Sequence, residues 1–219
     1  DLLRLDGGFL CYQAPPDAPE IDARVDGPLT FGSFNNASKI SESVIDLWAE
    51  LLRQEPESRL LLKSRQLADE DVCKRLRDAF RAKGVVEGRL AFHGRIESRT
   101  DHFALYRSVD VALDTCPYNG TTTTCEALWM GVPVVALRGE RHAARVGASL
   151  LSAAGRPQWI AETPQDYVEI ARSLAGARPP RADVRDALSA SRLMDAGRHV
   201  SKMEKAYRNI WKRYLEANW

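Results

Sequence analysis

Residues 109–137, VDVALDTCPYNGTTTTCEALWMGVPVVAL, decide the fold. Val109–Asp114 is a short apolar run of strand length, and the polar turn after it leads into a helix over Cys125–Met130. Gly131 ends that helix, and Val132–Leu137 is a second apolar strand with Pro133 at its start, where a missing N–H costs little. Strand, turn, helix and strand in this order form a βαβ unit, which joins parallel neighbours in a sheet.

The same rhythm extends outward in both directions. Upstream, Leu29–Phe34 is a strand, Asn35–Lys39 a polar turn, and Ser41 caps a helix whose Val44, Ile45, Leu47, Trp48, Leu51 and Leu52 share one face. Pro56 closes it; Arg59–Lys63 is the next strand, Asp69–Lys83 a helix stopped by Gly84, Arg89–His93 a third strand and Arg99–Ser108 a short helix. Downstream, a helix near His142–Ala153, a strand at Trp159–Ala161 and a helix near Gln165–Ala175 precede helical sequence to the end. The expected fold is a Rossmann-like, mostly parallel sheet with helices on both faces.

Three segments follow. Residues 1–27, with Pro15, Pro16 and Pro19 among acidic residues, read as a linker or strap; 28–178 as the nucleotide-binding lobe; 179–219 as C-terminal helices. In the last of these Val200, Met203, Tyr207, Ile210, Trp211 and Tyr214 form one apolar stripe, expected to dock on the body of the protein and in part on an upstream lobe.

The chain has 219 residues, 44% of them hydrophobic and 28% charged, enough for a real core and too ordered a composition for global disorder. A net charge of +1 offers no overall positive field for a nucleic acid or an anionic membrane, so any anion is held locally. No stretch approaches the roughly 18 apolar residues of a membrane span, and the first residues lack the blocks of a signal peptide. A cytoplasmic protein is expected, with Cys11, Cys73, Cys116 and Cys125 as reduced thiols.

Ligands of an open parallel sheet bind beyond the carboxyl ends of its strands, where turns place N–H groups at helix N-termini. Two turns suit an anion. In Thr115–Glu126, Gly120 permits close approach, and the hydroxyls of Thr121, Thr122 and Thr123 join the unpaired N–H groups of the helix as donors. The competing reading needs no ligand: Thr123 and Glu126 have the spacing of a capping box. In Asn35–Lys39, Lys39 places a cation and Asn36 an amide, although surface lysines are common. His102 and Arg99 either face a ligand base or cap a surface, and His142 and Arg145 are open in the same way. Asp69-Glu70-Asp71 has the D-x-D pattern of a metal-diphosphate holder, but sits where a helix begins and acidic residues suit its dipole; no metal site is expected. G-x-S-x-G, Walker and G-x-G-x-x-G patterns are missing.

Several segments together resemble the O-GlcNAc transferase and SPINDLY family of GT-B glycosyltransferases: Phe31-Gly32-Ser33-Phe34-Asn35-Asn36 with Lys39, Ser58–Lys63, Leu113-Asp114-Thr115, Pro117–Leu128, Gly131–Val135, Arg141–Leu151, and Glu204 through Trp211. The resemblance runs in order through nearly the whole chain and implies the C-terminal, donor-binding lobe of a GT-B fold, preceded by an N-terminal catalytic lobe and tetratricopeptide repeats. It implies a nucleotide-sugar donor, UDP-GlcNAc or GDP-fucose, with no metal, and a protein Ser or Thr acceptor. By motif position, Asn36, Lys39, Thr122 and Thr123 would contact the diphosphate, with Lys39 catalytic. Thr121 would lie near the sugar with Gly120 in the same donor-binding turn, Glu126 would hold the ribose hydroxyls, Arg99 stands where a Lys of the family reaches the ribose, and His102 would pack on the base.

Where animal O-GlcNAc transferases have Gln, His, Asp and Lys, this chain has Asn36, Thr121, Glu126 and Arg99, and its Gly-Thr-Thr-Thr-Thr-Cys-Glu run is nearer the SPINDLY branch. The implied function is inverting O-glycosyl transfer, with GlcNAc as the first expectation and fucose as the second. A small-molecule GT-B transferase and a non-catalytic nucleotide-sugar-binding or interaction module stand as alternatives.

Overall fold

A computed structural model describes residues 5, 8–21 and 26–218. Its six strands are β1 (Thr30–Ser33), β2 (Arg59–Lys63), β3 (Leu90–His93), β4 (Val111–Leu113), β5 (Val134–Leu137) and β6 (Ile160–Ala161). They form one sheet in the order β3-β2-β1-β4-β5-β6, every neighbouring pair parallel. This is the doubly wound Rossmann order. Between and after the strands lie α1 (Glu42–Gln54), α2 (Glu70–Ala82), α3 (Arg99–Ala104), α4 (Thr122–Trp129), α5 (Val146–Ala153), α6 (Pro164–Ala177), α7 (Arg181–Ser189) and α8 (Ala196–Asn218).

The strand order has one consequence for function. The chain runs outward through β2 and β3, then returns to the far side of β1 to begin β4. The turns leaving β1 and β4 therefore diverge to opposite faces and open a crevice between them, the place where such sheets bind ligands.

Local sequence chemistry starts and stops the elements as the residues dictate. Ser41 accepts the Val44 N–H and begins α1, whose buried face, Val44, Ile45, Trp48, Leu51 and Leu52, covers the sheet. Trp48 is fully buried and its Nε1–H donates to the Tyr167 hydroxyl on α6 at 3.3 Å, so one tryptophan links two covering helices. Asp69 accepts the Asp71 N–H and begins α2, so the acidic triplet is used as a helix start. Thr163 and Asp166 form a reciprocal capping box on α6 with Pro164 in its first turn.

α7 shares the sheet's core through Val184 and Leu188, and its Arg181 donates to the carbonyls of Tyr106, Arg107, Val109 and Met130. Gly131 lies beneath it with φ +71°, and a Cβ there would stand 2.5 Å from Arg181 Cβ and 2.6 Å from its carbonyl oxygen. Gly131→Ala is thus expected to cost roughly 3 kcal/mol, from left-handed backbone strain plus overpacking. For a chain of this size that is a fall in Tm of about 6–12 °C, measurable by calorimetry.

The strap residues 8–21 carry no helix or strand. They are tied down by the Tyr12 N–H on the Leu193 carbonyl, by Arg185 on the Pro19 carbonyl and by Lys202 on the Gly8 carbonyl. The expected docking of the terminal stripe on this chain occurs only at the start of the helix: Met203 is half-buried beside the buried Ala206, while Val200, Tyr207, Ile210, Trp211 and Tyr214 are exposed. All four cysteines are free thiols, and among the described residues no helix is long and apolar enough to cross a membrane.

Candidate functional site

The crevice between β1 and β4 is built from two turns that are bolted together. Ser33, the last residue of β1, donates from Oγ to the Leu113 carbonyl at 2.8 Å and fixes the two strand ends side by side. Beyond it, Asn35 is buried and donates from Nδ2 to Asp114 Oδ1 at 3.3 Å, while its Oδ1 accepts from Thr123 Oγ1 at 3.1 Å. One amide therefore joins the β1 turn, the end of β4 and the first turn of α4.

Lys39 reaches across the same gap. Its Nζ donates to the Asn119 carbonyl at 2.9 Å and lies 4.1 Å from the centre of the Tyr118 ring. Burial lowers its pKa, and the charge of Asp114 opposes that fall. The ammonium thus stands on the Asn119–Gly120 peptide, two residues before α4 begins at Thr122.

The turn beneath it is cross-linked by hydrogen bonds. The Gly120 and Thr115 N–H groups donate to Asp114 Oδ1 at 2.6 and 2.9 Å. Asn119 donates from Nδ2 to the Thr115 carbonyl at 2.8 Å, and its Oδ1 accepts the Gly147 N–H at the start of α5 at 3.1 Å. The peptide bond before Pro117 is cis. Tyr167 closes the floor from α6, donating to the Asp114 carbonyl at 2.9 Å.

The capping box open to Thr123 and Glu126 does not form. The helix begins at Thr122, so Thr123 lies inside it and its hydroxyl turns to Asn35. The residue at the cap position, Thr121, makes no side-chain cap bond. The N–H groups that open α4 carry the positive end of the helix dipole toward the crevice that holds Lys39. A lysine ammonium, free N–H donors, threonine hydroxyls and a glycine at one rim make an anion site suited to a diphosphate.

Glu126 faces the other way along α4. Its Oε2 is 3.1 Å from His102 Nε2 and 3.5 Å from the Tyr106 hydroxyl. A carboxylate only accepts, which puts the imidazole proton on Nε2 and leaves Nδ1 buried without a partner among the described residues. Phe34, Tyr106 and His102 pack as tilted and edge-on rings beside it. This aromatic wall and a carboxylate at one end of the anion site suit a nucleoside.

Gly120, Thr121, Thr122, Thr123, Glu126, Lys39 and His102 are therefore brought to one rim. Asn36 stands at its margin: its Oδ1 accepts from the Ser38 N–H and hydroxyl and from Gln66 Nε2. Arg99 begins α3 one turn before His102, but its guanidinium pairs with Asp17 of the strap at 3.1 Å. His142 and Arg145 line a separate cavity of about 580 Å³ with Phe9 and Arg138. A groove of about 740 Å³ between α1 and α6 is edged by Asp46, Glu50, Glu169 and Arg172, apart from the predicted residues.

Sequence reasoning did not single out Asn35, Asp114, Asn119, Tyr106 or Gly147 as site residues. Each is polar or small at a buried position, and only Asp114, ending an apolar strand just before a glycine turn, had a local signal.

Comparison with known proteins agrees with this geometry. Residues 23–203 match the sequence profile of Glycosyl transferase family 41. The chain is 37% identical, over its full length, to a Petunia hybrida protein named probable UDP-N-acetylglucosamine–peptide N-acetylglucosaminyltransferase SPINDLY, of which it covers 24%. It is 33% identical to the UDP-N-acetylglucosamine–peptide N-acetylglucosaminyltransferase of Caenorhabditis elegans, over 93% of this chain and 17% of that one. A solved mutant of the Thermobaculum terrenum O-GlcNAc transferase superposes with a TM-score of 0.93 at 38% identity, covering 99% of this chain and 42% of the other. A glycosyltransferase of Rickettsia africae shares the fold alone, at TM-score 0.59 and 9% identity. The chain thus spans about a quarter or less of the curated relatives' length.

Proposed function

The chain belongs to glycosyl transferase family 41, and from that premise we propose that it is the donor-binding lobe of an inverting protein O-glycosyltransferase. The observation that carries the reading is the meeting of Lys39 with the uncapped start of α4 on the Asn119–Gly120 peptide. Lys39, Thr122, Thr123 and Asn36 would receive the diphosphate, Thr121 the sugar with Gly120 beside it in the turn, Glu126 the ribose with Arg99 in the place of a ribose-reaching Lys, and His102 the base.

In the reaction, an acceptor Ser or Thr oxygen attacks the anomeric carbon from the face opposite the phosphate. The bond from that carbon to the phosphate oxygen breaks, its electron pair stays on the leaving nucleoside diphosphate, and the acceptor's proton passes to a base. Negative charge grows on the departing phosphate, so a cation and helix N–H groups fixed there stabilise the transition state more than the bound donor. We read residues 1–27 as a strap from a preceding catalytic lobe and 179–219 as closing helices whose exposed stripe serves surfaces outside this chain. Tetratricopeptide repeats further upstream would present the acceptor protein, and the setting would be the cytoplasm.

GlcNAc from UDP-GlcNAc is the donor sugar favoured by the names of the relatives. The Thr-rich turn keeps GDP-fucose as the second donor. Full-length protein supplied in turn with UDP-GlcNAc and GDP-fucose is expected to transfer one of the two sugars to Ser or Thr, with inverted anomeric configuration by NMR. Tight binding of UDP or GDP with no transfer from either donor would replace the enzyme by a nucleotide-sugar sensor. Transfer only to small glycans would replace the protein acceptor.

A further inference from the structure

Asp114 is a carboxylate buried directly beneath an anion site, an unfavourable place for negative charge. It is 2% exposed. Its Oδ1 accepts three donors, from Gly120, Thr115 and Asn35, while Oδ2 is buried without a partner among the described residues. Oδ2 faces Gly147, where a Cβ would come within 2.5 Å of it. An asparagine has the same shape and would offer Gly120 and Thr115 the same acceptor oxygen without burying a charge.

The charge costs stability. Burial pushes the Asp114 carboxyl from 3.8 up to about 7, against the pull of the Gly120 and Thr115 N–H groups, Lys39 and Asn35. A folded pKa above the unfolded one means that the fold prefers the protonated acid. That preference stabilises fully below 3.8 and is lost as pH rises through about 7. The groups that feel its charge are Lys39 after β1, Cys116 in the turn and Tyr167 from α6. Lys39 is the one cation among them.

A fully buried carboxylate with three donors on one oxygen and no partner on the other among the described residues, at the floor of the candidate site, points to a role there. Ionised, Asp114 holds the Gly120 N–H by a charge-assisted bond, stronger than a neutral one, and its charge opposes the burial that lowers the pKa of Lys39. Building on the donor-site reading above, we infer that Asp114 is a positioning residue for sugar transfer. It anchors the Asn119–Gly120 peptide and Asn35 so that Lys39 and the start of α4 meet the leaving phosphate, and it does not itself touch the donor.

The test is Asp114→Asn in the full-length protein, with transfer, UDP and GDP binding, and thermal unfolding followed across pH. The variant is expected to melt higher than wild type at pH 8, with the gap closing as pH falls toward 4. Its kcat is expected to drop about tenfold while the donor KM changes less than about threefold, the pattern of an interaction made mainly in the transition state. Wild-type kcat/KM should fall on the acid side with a midpoint near the value given above, and the variant should lack that limb.

Gly147→Ala, which presses on Oδ2 from α5, is expected to lower kcat in the same direction. A variant of Asp114 that matches wild type in kcat and keeps the acid limb overturns the inference and leaves the donor site standing. One that melts lower at pH 8 makes Asp114 a structural brace and also overturns it. A wild type that neither transfers sugar nor binds nucleotide removes the donor-site reading, and this inference with it.

Discussion

Lys39→Ala is expected to lower kcat by about 10²–10³-fold, the usual loss when one preorganised donor to a developing oxyanion is removed. Affinity for UDP or GDP should fall about 10- to 100-fold, as for the loss of one charged hydrogen bond. Stability should fall by only about 1–2 kcal/mol, because the variant loses one hydrogen bond to the buried Asn119 carbonyl, one contact with the exposed Tyr118 ring and the cation whose charge acts on Asp114. That separation makes the variant informative: transfer collapses in a protein that still folds.

Lys39→Arg is expected to rescue poorly, because a planar fork cannot occupy the point where a compact ammonium sits on one peptide oxygen. The pH dependence has a sign as well. Burial lowers the pKa of Lys39 in the free protein, so the alkaline limb of kcat/KM should lie below the ordinary lysine range and vanish in Lys39→Ala. Calorimetry with UDP and GDP together with transfer assays checks both. Unchanged nucleotide affinity and unchanged kcat in Lys39→Ala would remove this residue, and the rim around it, from the donor site.

The fold was legible because its elements carry their own signals. Arg59–Lys63 is bounded in the structure where its apolar run begins and ends, and the Ser41 cap and the face of α1 follow from spacing alone. Differences concentrate where tertiary contacts overrule local pattern. The strand read as Val109–Asp114 narrows to Val111–Leu113; the Asp114 N–H still donates to the Val135 carbonyl of β5 at 3.0 Å, while its side chain organises the turn. The helix read from Cys125 begins at Thr122, since Thr123 finds a partner on another strand's turn and not in its own backbone.

Half of the site was legible for the same reason. Lys39 and the threonines announce anion chemistry by residue type. Asn35 and Asp114 join side chain to side chain across 79 residues of sequence, and Asn119 holds the Gly147 N–H 28 residues on; no local window reports such pairings. The α8 stripe was legible as apolar but not as uncovered, because periodicity tells which face is greasy and not what lies opposite.

Gly120→Ala is the strictest test of that long-range scaffold, since it adds one methyl group at the point where three elements meet. A Cβ at position 120 would stand 2.6 Å from Thr123 Oγ1, 2.8 Å from Asn35 Oδ1 and 3.1 Å from Asp114 Oδ1. The first two distances are shorter than any settled contact, so something must move. Asn35 and Asp114 are buried and bonded to each other, and Thr123 is held by Asn35. The movable part is the turn itself, with the Asn119 carbonyl under Lys39 and the cap residue Thr121 on either side. Overpacking of this kind costs about 1–3 kcal/mol of stability. The larger effect is on transfer, because displacing a reacting group by about 1 Å can cost 10²-fold in rate. Gly120→Ala is therefore expected to lose about 100-fold in kcat/KM with Tm lowered by about 2–12 °C. Gly88→Ala, where an added Cβ meets nothing within 4 Å, is the matched control and should behave as wild type. Near-normal transfer by Gly120→Ala would mean that the turn tolerates movement, and that the donor phosphate does not lie against the Asn119–Gly120 peptide.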